Sequence, residues 1–186
     1  MKKIALAGST LALAMAAGSV YAASASGPTA KSFGLNVGFT QTTAMGNSAA
    51  PANFLINGKY FISKDMAVLA GVGLVVNDSG AAANSKSTNL GFQGGFRKYL
   101  KTDDLAPFVG GKLQYLSTRQ GVNDVTDFAL MVEGGAEYFL SKQFSLEGSV
   151  GFGYSSAESK PVAGGATTKA TAFGSTMFNV SANFYF

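Results

Sequence analysis

The chain of 186 residues contains no cysteine, no histidine and no tryptophan. The lack of cysteine excludes disulfides and thiolate metal ligands. The lack of histidine excludes the usual general base, together with serine–histidine and metal–histidine sites. Charged residues are also scarce, at 13% of the chain, about half the roughly 25% of soluble domains. From these absences we expect no enzyme, no metal and no cofactor.

Glycine and aromatic residues are abundant by contrast, with 24 glycines and an aromatic fraction of 12%. Few charges, many glycines and many aromatic side chains suit a protein that contacts lipid. The formal charge of +4 depends partly on Lys2 and Lys3; without them, 12 basic residues stand against 10 acidic ones. This near balance makes nucleic acid an unsuitable partner.

The first 22 residues have the organisation of a secretory signal peptide. Lys2 and Lys3 precede an apolar stretch over residues 4–17, and small residues surround a cleavage site near Ala22. The apolar stretch is shorter than the roughly 20 residues that a membrane-spanning helix needs. We predict a signal peptide over 1–22, a short flexible tail over 23–31 and one folded domain over 32–186.

The folded domain alternates apolar and small polar residues with a period of two, as half-buried strands do. In its first segment Phe33, Leu35, Val37 and Phe39 share one face, with glycine, asparagine and threonine on the other. The same pattern recurs seven times and predicts an all-β fold without helices. The eight predicted strands cover residues 32–40, 54–62, 66–76, 90–100, 105–116, 128–140, 144–154 and 173–186.

The composition of the polar face decides which face is outside. A strand face in water carries many Lys, Glu and Thr residues, whereas here it consists mainly of Gly, Ser and Asn. Small side chains suit the narrow, filled interior of an eight-stranded barrel. We therefore predict an eight-stranded antiparallel up-and-down transmembrane β-barrel, in preference to a soluble barrel of the lipocalin type with its apolar face inside.

The predicted connections are of two unequal kinds. Three are short, at residues 63–65, 101–104 and 141–143, and four are long, at 41–52, 77–89, 117–127 and 155–172. Membrane barrels keep their short turns on the periplasmic side and their long loops outside the cell. Both termini, including the tail over 23–31, would then lie on the periplasmic side.

The three short turns belong to an internal repeat, in which Tyr60, Tyr99 and Tyr138 are spaced 39 residues apart. A fixed period of this kind corresponds to one strand pair with its connections. We expect these tyrosines to form an interfacial girdle at the periplasmic rim, with Tyr115 and Tyr154 near the opposite rim.

The chain ends on a strand whose apolar positions include Phe178, Val180, Phe184 and the terminal Phe186. In this respect it resembles the small outer-membrane β-barrels, the group that includes the OmpA transmembrane domain, OmpX, OmpW and the opacity proteins. The resemblance covers the whole chain after residue 22, although tryptophan is absent and the loops carry no subfamily motif. It implies a monomer in the outer membrane of a Gram-negative bacterium, inserted by the barrel assembly machinery, which reads the last strand.

Charges that fall on the inward face of the strands would meet in the lumen. Strand alternation places Arg97 inside, whereas the repeat aligns Lys98 with inward positions, so either residue could be the one in the lumen. We expect a layer of charges that blocks the narrow lumen, with Lys112 and Glu133 paired nearer its middle. The predicted network comprises Lys59, Arg97 or Lys98, Lys112, Glu133, Glu137 and Glu147.

Glu137 and Glu147 are equidistant from the centre of the last short turn, at residue 142, and would face each other. Such a pair could act as catalytic carboxylates, but the sequence supplies no substrate site beside them. Enzymes among barrels of this size class, the lipid A acyl-modifying barrels and the outer-membrane proteases, depend on histidine. Their chemistry therefore does not carry over to this chain.

Two functions remain open from the sequence. The first is a closed barrel with a structural or surface-interaction role in envelope integrity or adhesion, embedded in outer-membrane lipid and contacting an extracellular partner through its loops. The second is a narrow OmpW-like pore for small or apolar solutes. They differ in whether the lumen is sealed.

Overall fold

A computed structural model describes residues 30–40, 56–78, 86–121, 123–161, 165–175 and 179–186. The predicted signal peptide and residues 23–29 of the predicted tail lie outside these ranges. Within the described ranges, no helix is long and apolar enough to cross a membrane.

The described chain forms nine β-strand segments of increasing and then decreasing length. Along these segments, small polar residues alternate with β-branched and aromatic residues, and the latter favour an extended backbone. The strands are β1 Phe33–Thr40, β2 Ile56–Ser63, β3 Met66–Asp78, β4 Lys86–Tyr99, β5 Leu105–Gln120, β6 Asn123–Ser141, β7 Phe144–Pro161, β8 Thr168–Ser175 and β9 Asn179–Tyr185.

The strands pair antiparallel with their sequence neighbours from β1 to β7 and close into a ring. The ring closes through β9, which pairs with β1 on one side and with β7 on the other. β9 pairs with the first part of β7, up to Ser149, and β8 pairs with the following part, from Phe152 to Ser159. The predicted eighth strand over 173–186 is therefore present as two segments, and the prediction of an eight-stranded antiparallel barrel is confirmed.

The two faces of the strands have opposite chemistry. Large apolar side chains on the outer face are exposed, among them Phe92 at 48%, Leu113 at 50% and Val132 at 62%. The alternating inner positions of the same strands are mostly buried, and several carry charge, such as Arg97 and Glu133. The barrel therefore presents its apolar band outward, as a barrel surrounded by lipid does.

Two predicted loops are largely strand, which corrects the sequence analysis. β5 and β6 continue through the predicted loop over 117–127, where Gln120 pairs with Asn123 and Gly121 turns the chain with a φ of 55°. β7 and β8 likewise occupy much of the predicted loop over 155–172. Polar residues here indicate water on both faces of a protruding hairpin, because a strand outside lipid needs no apolar face.

The three short turns lie at one end of the barrel, which we call the turn end, and their geometry differs. The hairpins β2–β3 and β6–β7 each contain a bulge, after Phe61 and after Phe139. The β4–β5 hairpin keeps its register to Tyr99 and uses a longer connection over residues 100–104. A bulge adds one residue to one strand and so reverses the alternation beside it. The sequence repeat consequently does not place equivalent residues on equivalent faces.

Candidate functional site

Among the described residues, six charged side chains from five strands meet in the interior of the barrel near the turn end. Three are basic and three are acidic, so their formal charges cancel. All but Lys112 are at most 9% exposed, and Lys112 is half-buried. The residues are Lys59 on β2, Arg97 on β4, Lys112 on β5, Glu133 and Glu137 on β6, and Glu147 on β7.

Arg97 connects two of the three carboxylates. Its Nη1 and Nη2 donate hydrogen bonds of 2.6 and 2.7 Å to the two carboxylate oxygens of Glu147, and its Nε donates one of 2.6 Å to Glu133. The second oxygen of Glu133 lies 2.5 Å from Nζ of Lys112. This is the Lys112–Glu133 pair that the sequence predicted, extended by a bidentate arginine bridge.

Lys59 connects Glu137 with Glu147, which are direct neighbours across the β6–β7 ladder. Its Nζ donates hydrogen bonds of 2.8 Å to Glu137 and 2.9 Å to Glu147. The two carboxylates would repel each other without an intervening cation. Lys59 and Arg97 supply that cation from both sides of Glu147.

Glu137 is surrounded by neutral donors as well as by Lys59. The hydroxyl of Tyr99 donates at 2.6 Å to the carboxylate oxygen that also accepts from Lys59. The other oxygen accepts from the amide of Asn183 at 3.0 Å and from the hydroxyls of Tyr185 and Ser145. Buried carboxylates need this degree of hydrogen bonding, because leaving one unpaired is costly. The network is therefore a satisfied structural unit rather than a vacant acid–base pair.

Aromatic side chains close the interior just below the charges. Phe61, Tyr99, Phe108, Phe139 and Tyr185 form one buried cluster, with neighbouring ring centroids 5.3–5.9 Å apart. The guanidinium carbon of Arg97 lies 4.1 Å from the centroid of Phe108, a cation–π contact. This aromatic cluster therefore fills the interior between the charged side chains and the turn end.

Glycines on the inner face provide the space for these large side chains. A Cβ atom at Gly110 would lie 2.5 Å from the carbonyl oxygen of Phe96 and 3.0 Å from Cγ of Arg97. A Cβ atom at Gly34 would lie 2.5 Å from the ring of Tyr185. The high glycine content is therefore tied to packing inside a narrow barrel.

The structure settles the alternative between Arg97 and Lys98. Arg97 is inside, whereas the Lys98 side chain is 49% exposed on the outer face and pairs with Asp65 in the β2–β3 turn. Lys98 therefore does not belong to the lumen network. The physical reason is the bulge in β2, between Lys59 and the turn. The repeat aligns Lys59 with Lys98, but because β4 has no such bulge, the two lysines point to opposite faces.

The predicted tyrosine girdle needs the same correction. Tyr60 and Tyr138 are 43% and 49% exposed, but Tyr99 is only 2% exposed and points into the lumen. Without a bulge in β4, Tyr99 takes the inward place that Phe61 and Phe139 have in the other two hairpins. Tyr115 and Tyr154 are exposed at 42% and 43%.

The last strand lies where the ring closes. Phe184 pairs with Leu35 of β1 and Phe144 of β7, and Val180 pairs with Gly148. Phe186 is 69% exposed and exchanges backbone hydrogen bonds with Phe33. Phe178 lies outside the described residues.

Sequence reasoning missed several neutral members of the network, namely Tyr99, Tyr185, Asn183 and Ser145. Asn183 and Tyr185 fall on the polar face of the last strand, so their inward direction was readable from alternation. Their contact with Glu137 was not, because it forms only when β9 closes the ring against β7. Among the described residues, no group of three or more Asp and Glu side chains is placed to hold a metal ion.

These features define a small membrane-spanning β-barrel with a filled interior at its turn end. The chain matches the family model described as outer membrane protein beta-barrel domain over residues 10–186, and it belongs to this family. Membership of this family places the protein in the outer membrane.

Solved structures of three outer-membrane proteins share the fold. AlkL in lipid bilayers aligns with a TM-score of 0.55 at 16% identity, covering 91% of this chain and 96% of AlkL. OprG from Pseudomonas aeruginosa gives 0.52 at 12% identity, with 86% and 98% covered, and OmpW from E. coli gives 0.50 at 16%, with 86% and 99% covered. No curated protein sequence matches. At these identities the likeness concerns the fold.

Proposed function

We propose that this protein is an outer-membrane barrel sealed at its turn end, with a structural or surface-interaction role in envelope integrity or adhesion. It is exported by its signal peptide and inserted by the barrel assembly machinery. It acts as a monomer without enzymatic activity, and its loop end meets an extracellular partner.

The observation that supports this proposal is the charge-balanced network of Lys59, Arg97, Lys112 and the three glutamates, together with the buried aromatic cluster beside it. Each of the three carboxylates bonds at least one cation, so an ion entering the lumen would have to break a buried pair. Separating such pairs costs several kcal/mol per charge. An eight-stranded barrel leaves no second path beside a filled interior.

Conductance of the purified barrel in a planar bilayer, recorded at two salt concentrations, tests this proposal. We expect no discrete current steps from the wild-type protein. The substitution Glu137→Gln should lower stability without opening a stable pore, because Lys59 keeps Glu147 as a partner. Lys98→Gln is the matched control, since Lys98 lies outside the lumen and should affect neither quantity strongly.

Reproducible steps in the wild-type protein, with ion selectivity that changes when Lys112 or Glu133 is replaced, would contradict a sealed lumen. They would support the second candidate, a narrow OmpW-like pore for small or apolar solutes. One observation favours that candidate: Leu116, Ala129 and Met131 face inward on the loop side of the charged layer. These apolar side chains would suit an apolar solute that enters from the loop end.

A further inference from the structure

A groove of about 690 Å³ crosses the outer face of the barrel from β4 to β8. Its centre is Gly134, where the missing side chain leaves a depression between Val109 and Val150, the two residues that pair with Gly134 from either side. A Cβ atom at Gly134 would meet only one atom within 4 Å, the carbonyl oxygen of Phe108 at 3.9 Å. The lining side chains include Phe96, Lys98, Val109, Val132, Val150 and Phe152.

The groove rises from the turn end into the apolar band. Lys98 pairs with Met66, the first residue of β3, and with Val109, the fifth residue of β5. Val109 pairs with Gly134, which pairs in turn with Val150, the seventh residue of β7. A line across the strands therefore moves away from the turn end, as it does in a barrel with tilted strands. Lys98 marks the lower end of the groove.

The lower end of the groove carries a positive and a negative charge side by side. Lys98 and Asp65 form an ion pair whose side chains remain 49% and 40% exposed. The hydrogen bond from Lys98 lowers the pKa of the Asp65 carboxyl, so this group stays ionised at neutral pH. An ammonium has three donors and a carboxylate several acceptor positions, so each group can bind a further partner.

We propose that this groove binds a phospholipid with a phosphoethanolamine headgroup from the leaflet at the turn end, which is the periplasmic leaflet. Lys98 binds the phosphate, Asp65 binds the ammonium group, and one acyl chain lies in the groove over Gly134. The separation of charge in the headgroup complements the Lys98–Asp65 pair. A headgroup with phosphate alone would satisfy Lys98 but would meet Asp65 as a like charge.

Native mass spectrometry of the folded protein in detergent tests this proposal. The probes are phosphatidylethanolamine and phosphatidylglycerol with identical acyl chains. We expect the wild-type protein to bind phosphatidylethanolamine more tightly. Asp65→Asn should weaken that binding about two- to fivefold, the range for exposed ion pairs, and should not weaken binding of phosphatidylglycerol. Lys98→Gln should weaken both.

The groove is tested separately from the headgroup site. Gly134→Leu fills the depression and should weaken binding of both lipids, and Gly134→Val is a second, smaller filling substitution. Gly94→Leu is the matched control, because a Cβ atom at Gly94 on the same outer face meets nothing within 4 Å and Gly94 does not line the groove.

Folding of every variant is checked by its heat-dependent shift on an electrophoresis gel. An equal loss for both lipids in Asp65→Asn would overturn the headgroup assignment. Unchanged lipid binding in both Gly134 variants would overturn the groove. Neither result depends on whether the lumen conducts.

Discussion

Arg97 and Glu147 face each other inside the barrel through two parallel hydrogen bonds of 2.6 and 2.7 Å. The two residues lie on β4 and β7, so the bridge crosses the lumen rather than following one pair of adjacent strands. Only the planar guanidinium provides two parallel donors for one carboxylate, and Arg97 uses its third donor for Glu133. Arginine is therefore required at this position by geometry as well as by charge.

Arg97→Lys should lower the free energy of unfolding by about 2–4 kcal/mol, because lysine cannot hold both glutamates and leaves buried carboxylate oxygens unpaired. The measurement is urea unfolding in detergent micelles, followed by far-ultraviolet circular dichroism. Arg119→Lys is the control, since Arg119 also pairs with an acid, Asp124, but is 73% exposed. It should change stability by less than about 0.5 kcal/mol. Equal losses in both variants would contradict the role of the buried bridge.

Tyr99→Phe should destabilise the barrel by about 1–2 kcal/mol, because it removes the 2.6 Å hydrogen bond to Glu137 while keeping the ring. Tyr60→Phe, the same substitution at an outward-facing tyrosine, should have little effect on unfolding. The temperature of the heat-dependent gel shift reports both. A loss of stability in Tyr99→Phe no larger than that in Tyr60→Phe would contradict the buried hydrogen bond between Tyr99 and Glu137.

Gly110→Ala should reduce stability, because the added Cβ would press against the Phe96 carbonyl and against Arg97. Backbone cannot move away in a closed sheet, so we expect a cost of about 1–3 kcal/mol. Gly94→Ala, on the outer face of β4, has free space and should be neutral or slightly stabilising. Urea unfolding of the two variants gives the comparison, and an equal response would contradict the packing argument.

Glu133→Gln should cost about 3–5 kcal/mol, since it leaves Lys112 without its acid partner and weakens the contact with Arg97. Combining it with Lys112→Met removes the unpaired cation and should recover part of the loss. A double-mutant cycle on unfolding free energies measures this coupling. Additive effects of the two substitutions would show that the Lys112–Glu133 pair is not an energetic unit.

Phe186→Ser should reduce the amount of folded barrel in cells more than it reduces refolding of the purified chain into detergent. The reason is that the barrel assembly machinery is expected to read the terminal aromatic residue, whereas purified chains fold without it. Phe173→Ser on β8 is the control, because Phe173 is similarly exposed, at 72% against 69% for Phe186. Equal losses in cells for both variants would remove Phe186 from the insertion signal.

Much of the barrel was predictable because lipid imposes a strict alternation on every strand that crosses it. The eight strands followed from this period, and so did the inward direction of Lys59, Glu133, Glu137 and Glu147. The polar hairpin ends were less predictable. Residues 117–120 are polar on both faces, so their composition does not distinguish strand from loop.

The wrong direction predicted for Tyr99 and the open choice between Arg97 and Lys98 have one physical cause. Three turns with similar sequences have different backbone geometry, since two contain a bulge and the third has a longer connection. A spacing counted in residues does not register a bulge, yet the bulge decides which face a side chain occupies. Contacts made by β9 were unpredictable for another reason, because they depend on closure of the ring.

The buried network joins residues that are far apart in the sequence, and this gives it a role in the order of folding. Glu137 receives Lys59 from near the beginning of the barrel and Tyr185 from its last strand, at sequence separations of 78 and 48 residues. These are non-local contacts, which form late and make folding slow. An incomplete sheet leaves Glu137 short of donors in a low-dielectric environment and so remains unfavourable until the last strand docks. The network therefore makes barrel closure cooperative.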